Sequence, residues 1–232
     1  MKKLDFKSKK IITILGVMVI LLVVVVFFWL NNTSSPLPKS SHFEIVDDQK
    51  KILYSQNISE LSVTPQAVEV WQAKIKELEL AVPNITDEVD KKKYYNDIAM
   101  YLAYLGRYQE AYDYYIKSLD ISYIDRITWL QFGDLLIKMQ AYKSAEVAYI
   151  KGNDINPYEQ LNYIKLAELY VLMGKSENEI IAVYDKGIGL IESPTAILQA
   201  KAYYYEKNKN YTEALKTYEA WLKIANDSNK AI

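Results

Sequence analysis

The sequence has no cysteine and only one histidine, His42, among its 232 residues. Without a thiol, the chain cannot form a disulfide, an iron–sulfur cluster or a thiolate nucleophile. A lone histidine with no cysteine to join it argues against zinc sites and against serine–histidine or cysteine–histidine nucleophile systems. The carboxylates sit mostly at exposed helical spacings, with no candidate catalytic pair. We therefore expect no catalytic residue, no metal and no cofactor, and we interpret the protein as a non-enzyme.

Glycine and proline are also scarce, with seven and six residues. A β-sandwich needs many tight turns that are rich in these residues, so their scarcity favours helices. Five lysines against one aspartate give residues 1–10 a net charge of +4, which leaves −5 for the remainder of the chain. A mildly acidic body lacks the basic surface that nucleic-acid binding requires. We expect no nucleic acid and no small-molecule substrate among the partners.

One long apolar run occupies residues 11–30, and no charge enters it. About 20 helical residues span a hydrocarbon core of roughly 30 Å, so the run predicts a single transmembrane helix in contact with the lipid bilayer. The basic tail directly before it places the N-terminus in the cytoplasm by the positive-inside rule. A cleaved signal peptide is the alternative, but Phe28, Trp29 and Leu30 are bulky where cleavage needs small residues. We expect an uncleaved signal-anchor in the plasma (inner) membrane and an extracytoplasmic C-terminal domain.

Residues 31–62 have no strong periodicity. The first part, residues 31–41, is rich in serine, proline and asparagine, a composition typical of flexible linkers. The rest shows a weak pattern that assigns no definite element. We therefore predict a flexible tether over the whole segment.

A helix is predicted next, within residues 63–91. Thr64 and Pro65 offer a capping side chain followed by a proline in the first turn. The helix should run to about Ala81, with its apolar residues on one stripe: Val68, Trp71, Ile75 and Leu78. We expect it to cover the open end of the repeats that follow.

The remaining chain repeats with a period of 34 residues. Aromatic and small residues recur at this shift in six pairs: Tyr95 and Trp129, Ala99 and Gly133, Leu102 and Leu136, Tyr108 and Tyr142, Ala111 and Ala145, Tyr115 and Tyr149. Small residues let two helices approach closely, and aromatic residues fill the space beside them. We predict four helix–turn–helix units, at residues 92–125, 126–159, 160–194 and 195–228. Ten tyrosines at packing positions are expected in the core: Tyr95, Tyr108, Tyr115, Tyr142, Tyr149, Tyr163, Tyr170, Tyr205, Tyr211 and Tyr218.

This pattern resembles the tetratricopeptide repeat family, whose units read W-x2-L-G-x2-Y, then A-x3-F, then P. The second unit matches best, with Trp129, Gly133, Ala145 and Pro157 in place. The third fits only with one residue inserted in its turn, and the fourth lacks the leucine before its small residue. The resemblance implies an all-α solenoid of about four helical hairpins with an N-terminal capping helix, preceded by the transmembrane helix.

The resemblance also implies a partner-binding groove, because the first helix of each unit lines the concave face in this family. Members that clamp chaperone C-terminal carboxylates use lysine, arginine and asparagine there, whereas this chain has Met100 and Leu161 at companion positions. We expect no such clamp, and instead an extended or helical peptide held mainly by apolar contacts. The groove positions of this sequence are Asn96, Met100, Tyr104, Ile127, Leu130, Gln131, Asp134, Ile164, Lys165, Glu168 and Tyr203.

Two functions fit this architecture. The first is a membrane-anchored extracytoplasmic scaffold or adaptor that binds a protein partner and assists secretion or envelope complex assembly, an expectation that comes from similarity of layout. The alternative is a permanent structural subunit of a membrane or envelope complex. A large exposed apolar patch on the convex face or on the capping helix would favour the alternative.

Overall fold

The computed structural model describes the backbone of residues 43–230 and side chains up to residue 226. The predicted basic tail, the predicted transmembrane helix at residues 11–30 and the first part of the predicted tether lie outside these residues. None of the helices within residues 43–230 combines the length and the apolar character needed to cross a membrane.

Nine α-helices and no strand make up the regular structure of residues 43–230, apart from three short 3-10 turns. The helices are α1 Pro65–Ala81, α2 Glu88–Tyr104, α3 Tyr108–Ile121, α4 Arg126–Lys138, α5 Tyr142–Ile155, α6 Gln160–Leu172, α7 Glu177–Leu190, α8 Thr195–Lys207 and α9 Tyr211–Lys230. The 3-10 turns are Gln49–Lys51, Ile58–Glu60 and Val82–Asn84. From α2 onward the helices pair as four consecutive hairpins, and α1 packs on α2. The architecture is an all-helical solenoid of the tetratricopeptide type.

Local sequence explains where several helices begin. The Thr64 hydroxyl accepts from the Ala67 amide (3.2 Å), and Pro65 follows in the first turn of α1. Ser176 and Glu179 form the capping box that their spacing predicts at the start of α7. Each cap satisfies an amide that would otherwise have no partner at a helix N-terminus.

The core of each hairpin combines a small residue with an aromatic one. A Cβ atom added to Gly133 would lie 2.4 Å from Cε1 of Tyr149, so α4 and α5 approach as closely as glycine allows. Of the ten tyrosines expected in the core, five are buried: Tyr108, Tyr115, Tyr149, Tyr163 and Tyr205. Tyr211 is largely exposed, and the other four are half-buried. The prediction was therefore wrong for Tyr211, which begins the last helix.

A repeated polar contact links each unit to the next. The contact is made by the residue at every thirty-fourth position, namely residues 92, 126 and 160. Each of them contacts a residue that lies just before the first helix of the next hairpin. The contacts are Lys92 to Asp125 (2.5 Å), Arg126 to Glu159 (3.5 Å), and Gln160 Nε2 to the Ser193 carbonyl oxygen (3.1 Å). The sequence period therefore fixes both the packing within a hairpin and the stacking between hairpins.

Residues 43–62, which we call the strap, lie against the hairpins, and this differs from the predicted flexible tether. Phe43 is buried, with its ring centroid 4.8 Å from that of Phe132. The Leu53 amide donates to the Met139 carbonyl oxygen (2.7 Å), far along the chain. The tether prediction fails for this segment because its partners are helix ends and backbone groups, which leave no periodic pattern in the sequence.

Candidate functional site

A cavity of about 570 Å³ opens between the first helices of three successive hairpins. Helices α2, α4 and α6 supply most of its lining residues, and Tyr115 of α3 also lines it. Within each of these helices the lining residues are three or four positions apart, which places them on one helix face. The cavity is lined by Met100, Ala103, Tyr104, Tyr115, Gln131, Asp134, Leu135, Ile137, Lys138, Lys165, Glu168 and Leu172.

Several side chains that line this cavity are charged. Asp134 Oδ1 accepts a hydrogen bond from the Tyr149 hydroxyl (2.7 Å), and Lys165 Nζ lies 3.4 Å from the same oxygen. Lys165 also lies 3.8 Å from Glu168 Oε2. These side chains are partly exposed, so each ion pair contributes at most about 1 kcal/mol. Their main effect is to orient the charged groups across α4 and α6.

Three tyrosines from second helices lie near these carboxylates. Burial raises the pKa of the Tyr115 and Tyr149 phenols, and the charge of Asp134 raises both further. Burial, with the charge of Glu168 as a secondary cause, raises the pKa of Tyr184 to about 12. All three phenols therefore stay neutral at physiological pH.

Gln131 places an unpaired acceptor at the cavity. Its Oε1 atom is buried and has no hydrogen-bond partner among the residues that the structure describes. An unsatisfied buried acceptor costs about 1–3 kcal/mol.

The structure brings together six of the eleven predicted groove residues around the cavity: Met100, Tyr104, Gln131, Asp134, Lys165 and Glu168. Leu130 and Ile164 are half-buried on the same helices, and Ile127 is exposed at the start of α4. Tyr203 is exposed on α8, with Lys207 Nζ 5.1 Å from its ring centroid. None of these four lines the cavity.

Asn96 is not part of the cavity wall. It is buried, and its Nδ2 donates to Thr128 Oγ1 (2.7 Å) between α2 and α4. Six lining residues are not among the eleven: Ala103, Tyr115, Leu135, Ile137, Lys138 and Leu172. Tyr115 was missed because only first helices were mapped, although its recurrence as Tyr149 in the next unit is a signal that could have revealed it.

No group of three or more histidine, cysteine, aspartate or glutamate side chains within residues 43–226 could hold a metal ion. The cavity offers apolar side chains such as Met100 and Leu172 beside the charged Asp134, Lys165 and Glu168.

Two segments of the chain match the family model described as tetratricopeptide repeat, at residues 92–124 and 195–228. These segments cover the α2–α3 and α8–α9 hairpins. No curated protein sequence matches the chain.

Several solved structures are similar to this one. A putative kinesin light chain of Podospora anserina with nearly identical TPR-like repeats is 14% identical, with a TM-score of 0.55, over 71% of this chain and 89% of that one. MamA is 17% identical, with a TM-score of 0.52, over 67% and 89%. A thermophilic TPR protein of Thermus thermophilus is 16% identical, with a TM-score of 0.50, over 69% and 86%. At these identities the similarity shows the fold alone.

Proposed function

We propose that the chain is a non-catalytic scaffold that holds a peptide segment of a protein partner in the cavity between α2, α4 and α6. The two segments that match the tetratricopeptide repeat model support this proposal. The observation that supports this most directly is the open cavity of about 570 Å³, which is lined by both apolar and charged side chains. Binding sites of this type combine apolar walls with a few placed polar groups. The volume fits a short peptide segment better than a folded domain.

Apolar lining residues supply the surface that a peptide side chain would cover. Met100 lines the cavity, and Leu172 contributes a largely exposed side chain. Burial of such surface stabilises a complex by about 25 cal/mol per Å². Tyr104 is held in place by Trp71 of α1, with ring centroids 5.1 Å apart, so its ring is already positioned.

The charged lining residues would orient a bound peptide. Lys165 and Glu168 offer charges of both signs at the cavity. Polar groups of this kind fix orientation and register more than they add affinity.

A charge substitution at one apolar lining residue tests the proposal. Leu172 is the last residue of α6 and Leu190 is the last residue of α7, and both side chains are exposed, at 58% and 44%. Only Leu172 lines the cavity. In the full chain, Leu172→Asp should lower the yield of co-purified partner at least tenfold, because it places a charge where apolar surface must be buried. Leu190→Asp is the matched control and should leave both the yield and the unfolding midpoint unchanged. Equal yields from the two variants would contradict the proposal.

We also propose that residues 11–30 anchor the protein in the plasma (inner) membrane, with the N-terminus cytoplasmic and the repeats outside. The uncharged apolar run and the five lysines before it support this topology. A scaffold in that position would assist secretion or envelope complex assembly.

The absence of cysteine makes this topology testable. A membrane-impermeant maleimide should label Tyr158→Cys, an exposed site between α5 and α6, in intact spheroplasts. Ser8→Cys in the basic tail should be labelled only after lysis. The reverse labelling pattern would contradict the topology.

A permanent structural subunit is the second candidate. The observation that favours it is an exposed apolar row on the last helix, formed by Tyr211, Leu215 and Leu222. Terminal faces of a solenoid are normally polar, so this row is suited to a lasting contact. Loss of co-purification with Leu215→Asp, but not with Leu172→Asp, would favour this function.

A further inference from the structure

Two second helices lack their own N-terminal caps. Arg107 precedes α3 and Ala141 precedes α5, and neither side chain makes a capping hydrogen bond. The later second helices differ, because Ser176 caps α7 and Asn210 Oδ1 accepts from the Glu213 amide (3.4 Å) at α9. The helices without caps are the two that the strap crosses.

The strap supplies the missing acceptors. Asp47 Oδ1 accepts from the Lys143 amide (3.1 Å), and Asp47 Oδ2 accepts from the Ser144 amide (2.7 Å) and hydroxyl (2.6 Å). Asp47 therefore serves as the N-cap of α5 from almost a hundred positions away. At α3, the Tyr54 carbonyl oxygen accepts from the Gln109 amide (2.8 Å).

The strap also contacts the ends of the first helices. The Leu53 amide donates to the Met139 carbonyl oxygen (2.7 Å), directly after α4, and the Gln56 amide donates to the Gly106 carbonyl oxygen (2.9 Å), just after α2. Gly106 has φ +72°, and a Cβ atom there would lie 2.5 Å from the Gln56 carbonyl oxygen. The last residues of α2 and α4, Tyr104 and Lys138, both line the cavity.

From these contacts we propose that the strap is a positioning element for the groove: it holds the cavity-lining ends of α2 and α4 and thereby strengthens peptide binding. Phe43, packed on Phe132, and Asp47, at the N-terminus of α5, are its main positioning residues. The proposal rests on the proposed function. The strap holds these helix ends in the arrangement that binds the peptide. Peptide binding therefore stabilises the docked strap by the same free energy.

Amide hydrogen exchange tests the structural half of this proposal. The wild-type full chain in detergent is compared with the double variant Phe43→Ala/Asp47→Ala and with the control Asp48→Ala. Asp48 is a suitable control because its carboxylate accepts a local hydrogen bond, from the Lys50 amide inside the strap (3.1 Å). We expect at least tenfold faster exchange in the double variant, both in the first turn of α5 and in the residues that end α2 and α4. Faster exchange confined to the strap and α5 would overturn the proposal. If the double variant does not fold, Asp47→Asn, which keeps one acceptor oxygen, should give a smaller acceleration at the same sites.

Co-purification of the partner tests the functional half. The double variant should lower the yield about fivefold or more, within the usual range of coupling between sites, whereas Asp48→Ala should not. A yield that falls with Leu172→Asp but not with the double variant overturns the strap proposal alone. A yield that survives Leu172→Asp contradicts the proposed function, and hydrogen exchange then still decides whether the strap holds α2 and α4.

Discussion

Replacing Gly133 with alanine should destabilise the protein, although alanine is the better helix former. Gly133 lies inside α4, and a Cβ atom there would fall 2.4 Å from Cε1 and 2.7 Å from Cδ1 of Tyr149. The Tyr149 ring is fully buried and cannot move toward solvent. Its hydroxyl also donates to Asp134 at the cavity, so a displaced ring would disturb that hydrogen bond.

The magnitude follows from two opposing effects. Alanine gains about 1 kcal/mol over glycine in a helix interior. Forcing a methyl group into a well-packed core costs about 1–3 kcal/mol, and a rigid, buried ring puts this site at the upper end. The net loss of about 2 kcal/mol should lower the Tm by about 4–8 °C for a domain of this size.

Thermal and urea unfolding of the full chain measure this difference. Gly189→Ala is the control, because Gly189 also lies in a helix but nothing is within 4 Å of its would-be Cβ atom. That variant should unfold at the wild-type temperature or above. In a Tyr149→Leu background, Gly133→Ala should cost less than in the wild type, because the two residues are in contact. A Gly133→Ala variant as stable as the wild type would refute the reasoning.

Three further outcomes are expected. Gln140→Gly should stabilise the protein and raise the urea midpoint. Gln140 has φ +61°, and Gly174 has the equivalent position in the next unit. A left-handed conformation costs a non-glycine residue about 1–2 kcal/mol, which exceeds the entropic cost of glycine of about 0.5–1 kcal/mol; a lowered midpoint would contradict this. The pKa of Tyr184 is raised to about 12, so the free energy of unfolding should fall as pH rises from about 10 to about 12. Urea unfolding at pH 9 and pH 11 measures this difference, which should be smaller in Tyr184→Phe than in the wild type. Asp125→Ala should cost about 1 kcal/mol at pH 7 by loss of the α4 cap. Burial acts to raise the pKa of Asp125, but its bonds to Lys92 and other donors lower it overall. The cost should therefore shrink as pH falls below the ordinary aspartate pKa of about 4; an unchanged cost there would count against this.

The hairpins could be predicted because packing positions recur every 34 residues. A small residue such as Gly133 opposite an aromatic such as Tyr149 is a local requirement that every unit must meet, so it leaves a periodic trace. The capping box at Ser176 is equally local and is present. Six groove residues line the cavity because the positions of one helix face follow directly from helical spacing.

The remaining features depend on contacts between distant residues. Asn96 does not line the cavity as predicted, because its side chain is buried and donates a hydrogen bond to Thr128 of the next unit. The strap was missed because Asp47 and Leu53 act on helix ends far along the chain. One signal was available: Arg107 and Ala141 are unsuited to cap a helix, which indicates that another part of the chain does so.

Site-specific photo-crosslinking in intact membranes tests the central claim most directly. A photoreactive amino acid replaces Leu172 at the cavity, Leu190 at the end of α7, or Leu215 on the exposed row of α9, and mass spectrometry identifies the adducts. We predict one dominant protein adduct from position 172 and none from position 190. Adducts from position 215 with none from position 172 would contradict peptide capture in the groove and support a permanent structural subunit.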